Sequence, residues 1–297
     1  EGIPYSKKPK SEYATSFLTQ FYVLSTRTLL NLIRNPVLLP VTYGMFIVVA
    51  FLIGGMFWQL QADLAHGGFQ GRLGILFFLV TLLAFTSMTS IDAFFVERQL
   101  FVRERANGCY RSSAYYISKL LCDFVPQRVF PPLIMGSIVY WAAGLRHDDW
   151  VLHFCLFLLI LVMFNVATTA LSMSISCLTS SAGTANLVIV LTLFWSLLFG
   201  GFLAEKSGIP PVLRWVCYLS VFNYAYEPLL INEMDGLWLM FNPENHSITP
   251  INGRELLINM GVNYKDLPFD IGMLGMMTGF FIILGYFLLR FYVKERR

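Results

Sequence analysis

Apolar residues dominate six stretches of this chain, each long enough to cross a lipid bilayer as a helix. A spanning helix needs about 20 mostly apolar residues, whereas the strands of a membrane barrel would alternate with period two. The six stretches are residues 37–59, 73–96, 120–144, 151–178, 186–203 and 269–291. The pattern therefore predicts an all-α membrane protein with six transmembrane helices.

Residues 11–35, ahead of the first predicted span, have the pattern of an amphipathic helix. The residues on one of its faces are Phe17, Phe21, Leu24, Thr28 and Leu32. Basic residues flank or oppose that face, and a helix of this kind lies in the membrane interface. The proline that follows Asn35 ends it, because proline disfavours helix in the preceding residue. Two interpretations stay open: a basic flank of the first span, or an elbow helix that an adjacent soluble domain pushes.

The composition agrees with a membrane protein. Of the 297 residues, 56% are hydrophobic and 13% are charged, and the mean hydropathy is +0.62. Soluble domains carry about 25% charged residues. The net charge of +3 is small and the bases form no stripe, which argues against a nucleic-acid partner. None of the five cysteines belongs to a Cys-x-x-Cys pair, so no metal site is expected.

The basic residues are distributed unequally between the loops. They concentrate before the first span, between the second and third, and after the sixth. The positive-inside rule therefore predicts cytoplasmic termini and an external loop over residues 204–268. That loop holds the sequence Asn245-His246-Ser247, which makes Asn245 a predicted glycosylation site.

A charged segment, residues 97–119, connects the second and third spans. Charges of both signs alternate with apolar residues from Glu97 to Asn107-Gly108, a pattern that predicts a helix ended by a turn. A solvated charged loop is the common alternative. Because the apolar residues 100–102 need burial, a docking surface for a soluble partner is the better interpretation.

Three ionisable residues, Asp92, Asp123 and Arg128, fall within or near the ends of the second and third spans. A charge at the bilayer centre costs about 2.5–3.5 kcal/mol on insertion scales, so these side chains should face protein or water. We predict a polar relay made of Asp92, Lys119, Asp123 and Arg128. The alternative for Asp123 is a structural salt bridge to Lys119, which lies one helical turn back. Three prolines predict that the third span is kinked or interrupted.

Residues 212–232, after the fifth span, are too polar and aromatic for a straight span and too apolar for a solvated loop. A short re-entrant or interfacial helix fits them, because irregular backbone is tolerated at membrane depth when protein buries it. The predicted layout is a cytoplasmic segment, 1–36, and a transmembrane domain, 37–297. The chain begins with Glu1 and no signal peptide pattern follows, so we expect the C-terminal portion of a longer protein.

Several motifs follow one another along the chain in a characteristic order. They are Asn35-Pro36, the Phe-rich second span, Glu97 with Phe101 to Arg111, Tyr115 to Pro126, Gly201-Phe202-Leu203, Ile209-Pro210-Pro211, and Tyr224-Ala225-Tyr226-Glu227 followed by Asn232-Glu233. In this order and spacing they resemble the transmembrane domain of G-subfamily ABC half-transporters, the family of eye-pigment, sterol and multidrug exporters. The resemblance covers nearly the whole chain.

The resemblance implies how the domain would be driven. The amphipathic helix would be the connecting helix, and residues 98–112 the coupling helix that docks on an ATPase. The implied coupling residues are Glu97, Arg103, Glu104, Arg105, Tyr110 and Arg111. Family members work as homodimers or heterodimers, and ATP and Mg bind to a nucleotide-binding domain, expected upstream in the same parent polypeptide.

The resemblance also implies a substrate cavity on the two-fold axis of the dimer. Phe85 matches an aromatic that clamps flat substrates in multidrug members, and Arg128 matches a position that influences substrate choice. The predicted cavity wall is Phe85, Met88, Phe194 and Leu197, and the predicted outer gate is Phe202 and Leu203. As a departure from the multidrug pattern, Leu82 replaces an asparagine.

The predicted function is the permease domain of an ATP-driven exporter of a lipid, sterol, pigment or drug, in the plasma membrane or an endomembrane. No Gly-x-x-x-x-Gly-Lys-Ser/Thr loop occurs in the chain, so this chain alone is not expected to be an enzyme. The alternative is an ion-coupled transporter or channel, which would need midplane charges or inverted repeats. A membrane enzyme is disfavoured because the four histidines form no His-x-x-x-His pair.

Overall fold

A computed structural model describes residues 15–34, 38–60, 68–146, 149–202, 210, 212, 214–241 and 249–293. In these ranges nearly all regular structure is helical, which confirms the predicted all-α class. Its elements are α1 (Phe17–Arg34), α2 (Leu38–Met56), α3 (Gly68–Thr86), α4 (Thr89–Ala106), α5 (Ser112–Lys119), a π-helical segment (Leu120–Val129), α6 (Phe130–Ala143), α7 (Trp150–Leu178), α8 (Ala182–Leu198), α9 (Arg214–Cys217), α10 (Asn223–Met234), β1 (Trp238–Phe241), β2 (Thr249–Asn252), α11 (Gly253–Asn259), a 3-10 turn (Tyr264–Asp266) and α12 (Leu267–Phe291).

Among the described residues, four helical stretches are long and apolar enough to cross a membrane. They are Leu39–Met56, Gly68–Ala106, Trp150–Leu178 and Tyr264–Phe291. They correspond to the first, second, fourth and sixth predicted spans. The fifth corresponds to α8, which is apolar but has 17 residues. The third is built from the π-helical segment and α6 in direct succession, so its helix is interrupted as predicted.

The second predicted span and the predicted coupling helix are not separate elements. Only a turn at Ser87 and Met88 divides α3 from α4, and α4 then continues without a break to Ala106. The helix of the second predicted span therefore continues through Glu97 into the charged segment, whose predicted helix ends at the same turn. The first interruption is Asn107-Gly108, as predicted, where Gly108 has a φ of +69° that a residue with a side chain rarely adopts.

The third predicted span changes its helical pitch around a proline. Pro126 lies inside the π-helical segment, where it has no N–H to give to the helix. Its carbonyl accepts a hydrogen bond from Tyr43 Oη of α2 at 2.7 Å. A wider turn of this kind accommodates the ring and leaves carbonyls for partners on other helices.

The largest core is formed by α3, α6, α7, α8 and α10, and α7 and α12 pack along each other. A second, smaller core includes Leu24, Phe101, Tyr115 and Leu289, so it lies where α1, α4, α5 and the last turns of α12 meet. We call this the α1 end of the bundle. The predicted inward face of α1 is confirmed at Leu24 and Leu32, which are both buried.

The opposite end of the bundle is closed by the chain that follows α8. All twelve residues of α10 are buried, which matches the short buried helix predicted for residues 212–232. The strands β1 and β2 form an antiparallel pair that the sequence did not predict, with Trp238 opposite Asn252. Gly253 follows, and a Cβ there would lie 2.2 Å from the carbonyl oxygen of Met234. We call this the α10 end.

Candidate functional site

Two carboxylates join α4 to other helices at the α1 end. Glu97 accepts a hydrogen bond from Tyr115 Oη at 3.1 Å and forms an ion pair with Lys119, both on α5. Glu104 accepts hydrogen bonds from Arg27 Nη1 of α1 at 2.8 and 3.1 Å. Hydrogen bonds to charged groups are stronger than neutral ones, so α4 is held by charge on two sides.

Tyr110, in the turn after α4, strengthens the Glu104 contact. Its hydroxyl donates to Glu104 Oε2 at 2.7 Å, and its ring stacks on Tyr115 with the centroids 5.9 Å apart. Burial, and secondly the hydrogen bond to Glu104, raise the pKa of Tyr110 far above its ordinary value. The hydroxyl therefore remains a donor at physiological pH.

The other predicted coupling residues take different positions. The backbone N–H of Arg111 donates to Gln20 Oε1 of α1 at 3.0 Å. Arg105 contacts the end of α12, and Arg103 is exposed on α4. The structure therefore brings Glu97, Glu104, Tyr110 and Arg111 to the junction with α1 and α5. A role of these residues in coupling stays a prediction.

The residues of the predicted relay lie around two adjoining cavities, one lined by Lys119, Asp123 and Arg128 and the other by Asp92 and Asp123. Lys119 Nζ lies 3.3 Å from Asp123 Oδ2, as the spacing predicted, and also pairs with Glu97. Arg128 is buried, and it donates to the carbonyl of Thr86 and to the hydroxyl of Thr89, both at 3.0 Å. These contacts attach Arg128 to the turn between α3 and α4.

A cavity of about 440 Å³ lies between α1, α4 and the π-helical segment. Asp92, Glu97 and Asp123 are on its wall, together with the apolar side chains of Leu32 and Val96. The structure thus places Asp92 on an open cleft at the α1 end. This cleft adjoins the contacts that Glu97 makes with α5.

The predicted substrate wall is partly brought together. The rings of Phe85 and Phe194 meet edge to face with their centroids 5.5 Å apart. Phe194 is 53% exposed, whereas Met88 packs against the core and Leu197 is buried in it. Phe85 and Met88 are both half-buried in this chain, and the role of the four residues as a cavity wall stays a prediction.

One residue of the predicted outer gate is described. Phe202 stacks on Phe77 of α3 with the centroids 4.0 Å apart, and it meets Tyr226 of α10 edge to face at 5.8 Å. It borders a smaller cavity of about 90 Å³ near Gly200 and Leu230. Leu203 and the predicted glycosylation site Asn245 lie outside the described residues.

A buried ionic cluster at the α10 end was missed from the sequence. Arg72 of α3 forms an ion pair with Glu233 of α10 and donates to the carbonyl of Leu60 at 3.0 Å. The backbone N–H of Arg146 donates to both oxygens of Glu233, at 3.2 and 3.1 Å. The second predicted span begins at residue 73 and the third ends at residue 144, so the prediction left Arg72 and Arg146 in loops. The sequence contained a signal for this cluster, because a charged residue next to a long apolar run needs a partner when it is buried.

No cluster of three or more His, Cys, Asp or Glu side chains that could hold a metal occurs among the residues that the structure describes. His153, the described histidine nearest to α10, hydrogen-bonds through Nδ1 to Asn232 Oδ1 at 2.8 Å. This hydrogen bond joins α7 to α10.

Several known proteins are similar to this chain in sequence. The family model described as "ABC-2 type transporter" matches residues 19–234. "ABC transporter G family member 24" of Dictyostelium discoideum is 45% identical over 96% of this chain and 24% of its own length. A "Probable ATP-dependent permease" of Saccharomyces cerevisiae is 34% identical over 97% of this chain and 27% of its own length. "Broad substrate specificity ATP-binding cassette transporter ABCG2" of Bos taurus is 34% identical over 84% and 38%, respectively.

The chain spans between about a quarter and two fifths of the length of these relatives. The matched residues run from α1 through α10, so they include the α4 junction, the two phenylalanines and the buried ion pair. Together with the long apolar helices, this similarity identifies an integral membrane protein with a role in transport. The chain belongs to the ABC-2 type transporter family and is a transmembrane domain of the G subfamily.

Proposed function

We propose that this chain is the permease domain of an ATP-driven exporter that moves a hydrophobic or amphipathic substrate by alternating access. The observation that carries the proposal is the junction at the α1 end, where Glu97 and Glu104 of one helix bind α5 and α1 by charge. A displacement of any one of these three helices would therefore displace the other two. The relatives include an ATP-binding cassette transporter and a probable ATP-dependent permease, which supports this proposal.

The ATP and Mg of such a transporter would bind to a nucleotide-binding domain outside this chain, and two permease domains would form a homodimer or heterodimer. The chain covers only part of each relative, which leaves room for such a domain in the parent protein. The α1 end would face the cytoplasm, where ATP is available. The positive-inside prediction gives the same orientation.

The proposed substrate path runs from the Phe85–Phe194 pair at the end of α3 to Phe202 near α10. Phe85 precedes Thr86, whose carbonyl accepts from the buried Arg128. Arg128 thereby binds the turn between α3 and α4 to the third predicted span. A movement of that span would tilt the Phe85 ring, which links the α4 junction to substrate binding. Apolar lipids, sterols, pigments and drugs all suit the apolar wall.

The test is the ATPase activity of the full-length parent protein in lipid, measured with sterols, phospholipids and hydrophobic drugs. We expect one of these classes to raise ATP turnover, and Glu97→Ala to abolish that rise. Gln99→Ala, on an exposed position of the same helix, is the matched control and should keep it. Absence of ATP hydrolysis by the parent protein and any co-purifying subunit would refute the proposal and favour an ion-coupled carrier.

A further inference from the structure

Arg98 of α4 contacts the C-terminal end of α7. Its Nη1 donates to the carbonyl of Ser176 at 3.2 Å and to that of Thr179 at 2.5 Å. The last carbonyls of a helix have no partner within the helix, and they form the negative end of its dipole. The guanidinium of Arg98 satisfies two of them and places a positive charge there.

Arg105 makes the same kind of contact with the C-terminal end of α12. Its Nη1 donates to the carbonyls of Leu289 and Val293 at 3.3 and 3.1 Å, and its Nη2 to that of Arg290 at 2.8 Å. Leu289 and Val293 are both buried. Arg105 therefore binds the end of α12 through several donors of one planar group, a geometry that lysine cannot reproduce.

The spacing on α4 explains how one helix reaches both ends. Arg105 follows Arg98 by seven positions, which is close to two helical turns. The two side chains therefore leave α4 on nearly the same side. Each arginine follows directly after one of the carboxylates, Glu97 or Glu104, that bind α5 and α1. A repeated Glu-Arg pair thus ties α4 to four helices.

The two helix ends bound by the arginines belong to helices that also contact each other. Ser174 Oγ of α7 donates to the carbonyl of Phe281 of α12 at 3.0 Å. A Cβ at Gly285 of α12 would lie 3.2 Å from the same hydroxyl oxygen, so the two backbones approach closely at this level. The two helices therefore contact each other before the ends that the arginines bind.

We propose that Arg98 and Arg105 are positioning residues that carry a displacement of α4 to α7 and α12. The proposal rests on the proposed function, in which an ATP-hydrolysing domain displaces α4. Without the arginines, α4 would still pull on α1 and α5 through Glu104 and Glu97. The C-terminal ends of α7 and α12 would then no longer move with α4.

The experiment uses the full-length parent dimer in nanodiscs, with its reactive cysteines replaced and one spin label per protomer. The label is placed in turn at Gln99 on α4, at Ser180 after α7 and at Phe287 on α12, all exposed. Distances between protomers are measured without nucleotide and after trapping with ATP and vanadate. The labelled protein that keeps both arginines is compared with the variants Arg98→Ala, Arg105→Ala and Arg105→Lys.

With both arginines present, we expect trapping to change the distances at all three labels. Arg105→Ala and Arg105→Lys should abolish the change at Phe287 while those at Gln99 and Ser180 persist. Arg98→Ala should abolish the change at Ser180 and leave the one at Gln99. Thr179→Ala and Arg290→Ala, which keep the accepting carbonyls and remove only side chains, are controls that should retain all three changes.

Two results would overturn the proposal. One is an unaltered distance change at Ser180 in Arg98→Ala and at Phe287 in Arg105→Ala. The other is a protein with both arginines in which Gln99 moves and the other two labels do not. Failure of the proposed function would look different, because the Gln99 label would then not respond to ATP and vanadate at all.

Discussion

Arg72 and Glu233 form an ion pair in which each side chain is only 4% exposed, although 161 residues separate them along the chain. The pair attaches α3 to α10, and the backbone N–H of Arg146 binds the same carboxylate. The helix that closes the α10 end is therefore held by charge as well as by apolar packing. Breaking a buried pair leaves one charge uncompensated, which is far more costly than losing an exposed pair.

Removing one partner of this pair should destabilise the protein strongly. We expect Glu233→Ala to cost about 3–5 kcal/mol, because Arg72 remains buried without its counter-charge. The double variant Arg72→Met/Glu233→Leu should recover part of this loss. The measurement is the temperature at which half of the detergent-solubilised protein ceases to be monodisperse. The control Glu255→Ala, at an exposed position, should change stability by no more than about 0.5 kcal/mol. Equal stability of Glu233→Ala and the control would contradict the importance of the pair.

The contact between α2 and α6 should depend on a single glycine. A Cβ at Gly54 would lie 2.7 Å from the Cβ of Ala142, whereas a Cβ at Gly55 would meet nothing within 4 Å. We expect Gly54→Leu to cost about 1–3 kcal/mol through overpacking and Gly55→Leu to be tolerated. Thermal unfolding of the two purified variants, measured side by side, tests this. Similar losses in both variants would mean that α2 and α6 do not pack as closely as described.

The aromatic pair should contribute to the binding of flat apolar compounds. A contact between two aromatic rings is worth about 0.5–1.5 kcal/mol beyond its buried area, so a planar ligand that packs on these rings should bind about 2- to 10-fold more weakly to Phe85→Ala and to Phe194→Ala. The measurement is the affinity of the full-length protein for a planar fluorescent dye. Phe280→Ala, an exposed aromatic on α12, should leave the affinity unchanged. If all three variants bind alike, the site lies elsewhere.

Tyr110 should stabilise the α4 junction independently of pH in the physiological range. We expect Tyr110→Phe to cost about 1.5–3 kcal/mol, typical of a hydrogen bond to a charged group. The pKa of Tyr110 is raised by burial and by Glu104. Its contribution is therefore complete below the unfolded pKa near 10 and is lost only as the pH rises through the folded value. The stability difference from the unsubstituted protein should be constant from about pH 6 to about pH 9. A difference that shrinks within this range would show that Tyr110 ionises earlier.

The class of fold and much of its order along the chain follow from local sequence patterns. Long apolar runs predict membrane helices because a bilayer offers the backbone no partners, so each span must satisfy its own hydrogen bonds. The same local reasoning located the turn at Gly108, the inward face of α1 at Leu24, and the pair of Lys119 with Asp123 one helical turn apart. Each of these depends on residues close together in the chain.

Contacts between side chains that are distant in the chain depend on how the helices pack. Whether Arg72 lies in a loop or is buried against Glu233 depends on how α10 folds back on α3, and hydropathy averaged along the chain does not contain that information. In the same way, the sequence shows Arg98 and Arg105 as two charges on a polar helix. That they bind the ends of α7 and α12 follows from the packing of four helices. Local preference fixes a helix, but its partners are fixed by the complementary charges and shapes that packing brings within reach.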